Sequence, residues 1–320
     1  MEQLFFLHVL TNPQKILHFP DRYNLLVIFI LNFVHAAGVI IGLATGDALG
    51  APLEGLPVPR RPVRSFEGGG IHGVRPGHFT DDTLQAVAIA ESLVFCAGFS
   101  PEDIIGRFMR DYERSPHFYG PTSSAVFALI REGVPPREAA QQVYDALGGG
   151  RSNGSVMRGA PIGVFYPPRT VREASIACAR LTHLHPVAAE CSAFVNRMVS
   201  GLCRGEERSR AHAGALRACE SDEVGRVLAD PHRSSLSPSL DALEATHCAV
   251  SVFLASSSFE EGVVGAVNLG GDADTIGAIC GALAGAGYGI GGIPSRWLAG
   301  LHRATMLLDL AWRLYLGARP

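Results

Sequence analysis

The chain has 320 residues, 47% hydrophobic and 18% charged, with a formal net charge of −3. Abundant apolar residues at low charge exclude a disordered chain, and the near-balance argues against a nucleic-acid binder, which would carry a basic stripe. Length alone allows two domains or one large core.

In chain order, residues 1–33 stand apart. They hold Lys15, the single lysine among 27 basic residues, together with five of the 16 Phe. After Val34 the sequence turns rich in Ala, Gly, Arg and Pro. The shift predicts a boundary: residues 1–33 an extension of separate origin, read from a start assigned too early or left by engineering, and residues 34–320 one domain. The apolar runs Leu25 to Leu31 and Val39 to Ala44 are separated by Asn32 and His35, a poor 20-residue span. A secretory signal would also need a basic segment before the run. No membrane association is expected.

From Gly42 to Glu54 small residues dominate. Gly46 and Gly50 lie four apart, which permits close helix packing, and Asp47 and Glu54 add carboxylates. Next comes Phe79-Thr80-Asp81-Asp82-Thr83, leading into the apolar helical run Leu84 to Phe95. Asn153-Gly154, then Met157-Arg158-Gly159-Ala160-Pro161, reads by itself as a turn and a capped helix. Pro186 opens a helix whose Val187, Cys191, Phe194, Val195, Met198 and Leu202 share one face. Leu240, Leu243, His247, Val250 and Leu254 repeat the period, as do Leu298, Leu301, Leu308, Trp312 and Tyr315. His247 reads as a satisfied core histidine. Gly148 to Gly150 and Ser234 to Ser239 are joints. Sustained strand alternation is absent. Residues 34–320 are therefore expected to form a single all-α domain of a dozen or so helices. The seven cysteines, at 96, 178, 191, 203, 219, 248 and 280, form no C-x-x-C pair and read as reduced, buried thiols of a cytoplasmic protein.

Chemistry concentrates in two acidic loops. The second is Gly270-Gly271-Asp272-Ala273-Asp274-Thr275, leading into Ile276 to Ala286. Either loop alone reads as helix capping, with Asp and Thr accepting from first-turn N–H groups. Together they place four carboxylates at two helix starts, more than capping needs. Carboxylates and hydroxyls are hard oxygen ligands, suited to Mg²⁺, Mn²⁺ or Ca²⁺. Brought together without a cation they would repel, and some would protonate. If the loops meet, two metals roughly 3.5–4 Å apart would satisfy them.

The ordered set G-D-A-L-G-x-x-x-E, T-D-D-T, N-G-x-x-M-R-x-A-P, T-H-x-H-P and G-G-D-A-D-T-x-G-A-I resembles the ADP-ribosylglycohydrolase family, from about Ala37 to the C-terminus. The resemblance implies an all-α fold with a binuclear Mg²⁺ or Mn²⁺ centre at helix N-termini. Thr80, Asp81 and Asp82 would bind one metal, and Asp272, Asp274 and Thr275 the other. Glu54 matches the family's acidic residue beside the metals. Asn153, the backbone of Gly149 to Ser152 (Gly150 and Ser152 included) and His183 would contact ADP-ribose. Gly120, Thr122 and Ser123 would belong to the pyrophosphate-binding loop. The implied activity is metal-dependent cleavage of the glycosidic bond between ADP-ribose and an acceptor, with Asp81 or Asp82 the base and Glu54 assisting. The partner is an ADP-ribosylated protein or a small ADP-ribosyl compound, and the acting unit a monomer. The alternatives are a silent ADP-ribose-binding protein of the same fold, or a hydrolase of small nucleoside-like N-glycosides.

Overall fold

A computed structural model describes residues 24–231 and 235–318, with side chains from residue 32 onward. Apart from Asn32, Phe33 and the backbone of residues 24–31, the expected N-terminal extension lies outside the described residues, as does Ser234 of one joint. Fifteen α-helices and no named strand are present among the described residues. Helix α1 (Asn24–Gly50) is followed by a long loop to α2 (Asp81–Phe95). Three proline-initiated helices come next: α3 (Pro101–Arg114), α4 (Pro121–Arg131) and α5 (Pro136–Ala146). Then come α6 (Ala160–Phe165), α7 (Val171–Ala179), α8 (Pro186–Leu202) and α9 (Arg208–Ala218). The chain continues through α10 (Asp222–Leu228), α11 (Ala242–Ala255), α12 (Phe259–Val267) and α13 (Ala273–Tyr288) to α14 (Ser295–Gly300) and α15 (Ala304–Gly317).

Local chemistry explains most of these starts. Proline at the first helical position has its φ preset and lacks an N–H that would go unbonded there anyway. Ser100, Ser221, Asp241 and Ser258 accept first-turn N–H bonds from Asp103, Val224, Leu243 with Glu244, and Glu261. Each such cap contributes ~1 kcal/mol.

The core is organised by α1 against α13, which run antiparallel in backbone contact. A Cβ on Gly38 would lie 2.2 Å from the Gly285 carbonyl oxygen, one on Gly42 2.2 Å from that of Gly281, and one on Gly46 1.9 Å from that of Gly277. A Cβ on Gly50 would lie 2.4 Å from the Ala273 carbonyl oxygen. Glycines at four-residue spacing on both helices thus form a ladder that no side chain can enter. Its last rung joins the C-terminus of α1 to the N-terminus of α13.

The α8 face is buried as expected, and His247 is a core residue whose Nε2 bonds the Asp230 carbonyl at 3.1 Å. Four expectations need correction. Leu298 to Tyr315 is two helices, because Arg303 adopts a left-handed conformation (φ 57°) between α14 and α15. Leu240 precedes α11 and is exposed, since Asp241 caps that helix. Cys96 is exposed and Cys219 half-buried, although all seven cysteines are free. Asn32–Leu53 is long and apolar enough to cross a membrane, yet all of it but the half-buried Asn32 and His35 is buried inside the fold. Phe33, at the expected boundary, packs edge-on to Trp312 with ring centroids 4.9 Å apart.

Candidate active site

The glycine ladder delivers the end of α1 to the start of α13, and the long loop after α1 brings α2 to the same place. Thr80 and Asp272 occupy the N-cap positions of α2 and α13, yet neither side chain caps its helix. The capping of α2 comes from outside. Asp47, fully buried on α1, accepts from Thr80 N (2.9 Å), Thr80 Oγ1 (2.9 Å), Thr83 N (3.0 Å) and Thr83 Oγ1 (2.6 Å). That leaves the Asp81 and Asp82 carboxylates for other work.

The second loop is fixed by backbone pairing. Gly271 N donates to the Leu56 carbonyl and Gly55 N to the Gly271 carbonyl, each at 2.8 Å, which sets Glu54 beside Asp272 and Asp274. Gly270 (φ 81°) and Gly271 (φ 65°) make the turn in the left-handed region, where glycine alone is unstrained. A Cβ on Gly271 would sit 1.9 Å from the Pro238 carbonyl oxygen. Asn153, from the turn before α6, donates its amide to Asp272.

These pieces surround a cleft of about 610 Å³, an ordinary size for a small-molecule site. Its wall includes Glu54, Asp81, Asp82, Asp272, Asp274 and Thr275 on one side. Gly120, Thr122, Ser123, Gly150, Ser152, Asn153 and His183 line the rest. The expected site residues are therefore brought together around one cleft, except that Gly149 lies outside its lining and Thr80 is buried beneath it, with its hydroxyl 2.9 Å from Asp47 Oδ1 and 3.3 Å from Asp82 Oδ2.

The electrostatics are those of crowded, desolvated acids. Burial raises Asp47 and Asp272 to about 6, and burial with the neighbouring Asp47 charge raises Asp81 to about 8. Asp82 and Asp274 are pushed well above the usual carboxylate range, first by burial, then by Asp47 and by Asp82 respectively. No arginine pairs with these four cleft aspartates among the described residues. Asp82 Oδ1 is buried without a hydrogen-bond partner. Glu54, His72 and Asp274 each offer a ligand atom, all within 4.8 Å of one another. An orphaned buried carboxylate oxygen amid desolvated acids is the donor set that a hard divalent cation fits.

Sequence reasoning missed two residues. Asp47 was visible in the G-D-A-L-G segment, but nothing in the sequence shows that its partners are Thr80 and Thr83. His72 lies in the glycine-rich loop after α1, and its Nε2 meets Glu54 Oε2 at 2.7 Å, which raises its pKa. No spacing rule flags it.

The sequence profile of the ADP-ribosylglycohydrolase family matches residues 33–320. The chain is 33% identical to an uncharacterised protein of Archaeoglobus fulgidus, over 86% of this chain and 94% of that one. It is 30% identical to the ADP-ribosyl-dinitrogen-reductase glycohydrolase of Rhodospirillum rubrum, over 83% and 90%. Among solved structures, an ADP-ribosylglycohydrolase-related protein complex superposes with a TM-score of 0.80 at 34% identity, covering 90% of this chain and 99% of that chain. With its helical fold and acid-lined cleft, the chain belongs to the ADP-ribosylglycohydrolase family and is a hydrolase of glycosidic bonds.

Proposed function

We propose that the protein is a divalent-metal-dependent hydrolase that releases ADP-ribose from an acceptor, a modified protein side chain or a small ADP-ribosyl compound. The observation that carries this reading is the convergence of Asp81, Asp82, Asp272 and Asp274 on one cleft, desolvated and without a paired arginine. Asp81, Asp82, Asp272, Asp274 and Thr275 would hold two Mg²⁺ or Mn²⁺ ions, with Glu54 and His72 beside them. Thr80, whose hydroxyl lies between Asp47 and Asp82, would complete the set beside Asp81 and Asp82. When bound, such ions neutralise the carboxylates and lower the pKa of a coordinated water.

The chain's own residues do the rest. The α4 N-terminus offers the first-turn N–H groups of Thr122 and Ser123 to a diphosphate, and the turn from Gly150 to Asn153 adjoins it through the Thr122 Oγ1–Ser152 Oγ bond at 3.0 Å. Asn153 is held by Asp272, so a ribose placed beside it faces the acids. Asp81 or Asp82 takes the proton of the attacking water as the bond from the anomeric carbon to the acceptor breaks, its electron pair leaving with the acceptor. Seven free cysteines accord with a reducing compartment, the cytoplasm. On this proposal the hydrolase domain is residues 34–320, acting as a monomer.

The test is release of ADP-ribose from ADP-ribosyl-arginine, ADP-ribosyl-serine and nucleic-acid-linked substrates, with and without Mg²⁺ or Mn²⁺. Asp82→Ala and Asp274→Ala are expected to abolish release. Full turnover by the wild type in EDTA would sink the metal dependence, and no release from any of these substrates would sink the activity.

A further inference from the structure

Arg158 carries a guanidinium into the interior, 0% exposed, under the Phe108 ring at 4.9 Å. Burying a guanidinium without a carboxylate against it costs several kcal/mol, so its position needs a purpose. Its terminal nitrogens are divided between two walls of the cleft. NH1 donates to Gln85 Oε1 at 2.7 Å, and Gln85 Nε2 donates to Asp81 Oδ2 at 2.7 Å. NH2 donates to Thr182 Oγ1 at 2.8 Å, and Thr182 Oγ1 stands 2.7 Å from His183 Nδ1.

Proton counting along the second branch fixes a tautomer. A guanidinium only donates, so Thr182 Oγ1 accepts from Arg158 and its own hydrogen needs an acceptor. Among the described residues the remaining partner of Oγ1 is His183 Nδ1. Nδ1 therefore accepts, and the single proton of the neutral ring sits on Nε2. Burial and the Arg158 charge keep the ring neutral, lowering its pKa to about 3. The Cε1–Nε2 edge rests against Gly154, where a Cβ would come within 2.8 Å.

We infer that Arg158 is a positioning residue which, through Thr182, holds His183 as a neutral Nε2–H donor facing the cleft. His183 then meets an acceptor oxygen of the bound ADP-ribosyl group, and it does not take a proton in the reaction. The ligand class rests on the proposed function; the tautomer does not.

Two measurements decide it. Long-range ¹H–¹⁵N spectra of histidine-labelled protein are expected to show His183 protonated at Nε2 and bare at Nδ1 from pH 5 to pH 8. Calorimetry with ADP-ribose in saturating Mg²⁺ compares Thr182→Val, which removes the relay at constant shape, with Thr182→Ser, which keeps the hydroxyl. The valine variant is expected to show mixed tautomers and roughly tenfold weaker binding, the value of one hydrogen bond; the serine variant should match wild type. A wild-type proton on Nδ1, or equal affinity of the two variants, overturns the inference. A wild type that binds no ADP-ribose overturns the proposed function instead, while the spectrum still decides the tautomer.

Discussion

Gly42→Ala tests whether backbone contact between α1 and α13 holds the two acidic loops in register. The added methyl would stand 2.2 Å from the Gly281 carbonyl oxygen and 3.0 Å from Phe259 Cε2. A Cβ essentially never approaches another heavy atom closer than 3.0 Å, and the obstacle is main chain, so no rotamer change relieves it. The helices must part by about 1 Å. Overpacking of this kind costs ~1–3 kcal/mol, against ~1 kcal/mol gained in helix propensity. The net loss is ~0–2 kcal/mol, a fall in Tm of a few degrees at most. Activity should suffer more than stability, because a misplacement of about 1 Å at a reacting centre costs ~100-fold. Gly106→Ala is the control: it lies inside α3 with nothing within 4 Å of the added carbon, and it should stabilise slightly. The assay is thermal unfolding of both variants beside ADP-ribose release. A Gly42→Ala protein as stable and active as Gly106→Ala would refute the reasoning.

Stability should also depend on pH and cations together. Unfolded carboxylates titrate near 4, whereas burial holds Asp47 and Asp272 at about 6 and Asp81 at about 8. The folded, cation-free protein binds more protons than the unfolded chain across that window, so these groups make stability fall as pH rises from about 4 to about 8. Added Mg²⁺ or Mn²⁺ should raise Tm more at pH 8 than at pH 5; an equal rise at both would contradict this. Asp47→Asn turns an amide NH₂ toward N–H and O–H donors that now meet carboxylate. It should cost ~2 kcal/mol or more and reduce release of ADP-ribose, and unchanged denaturant midpoint and activity would count against the capping role. Gly271→Ala places its methyl 1.9 Å from the Pro238 carbonyl oxygen and strains a φ of 65°. It should separate Glu54 from Asp274 and lower affinity for Mn²⁺ measured by calorimetry, whereas wild-type affinity would show that the turn tolerates a side chain.

Much of the site was legible because its residues come as short contiguous runs. T-D-D-T and G-D-A-D-T put acids at helix starts, and the T-H-x-H-P run marked the histidine that lines the same cleft. The helical period gave the all-α class, since 3.6-residue spacing needs no partner to be read. What stayed hidden depends on partners far apart in sequence. Asp47 looks like a packing-helix residue until Thr80 and Thr83, 33 and 36 positions on, are seen donating to it. The hydropathy of Asn32–Leu53 likewise cannot tell a membrane from a protein interior, because burial against α13 and insertion into lipid ask for the same side chains. Glycines at four-residue spacing pack helices closely in either surrounding; here the matching set on α13 is the backbone that arrives against them. Hence the apolar stretch that looks most like a membrane element is the one that fixes the spacing of the acids. An acidic site built this way is set by helix backbones rather than by mobile side chains, which is why a methyl on α1 at Gly42, away from the loops, is expected to reach the chemistry.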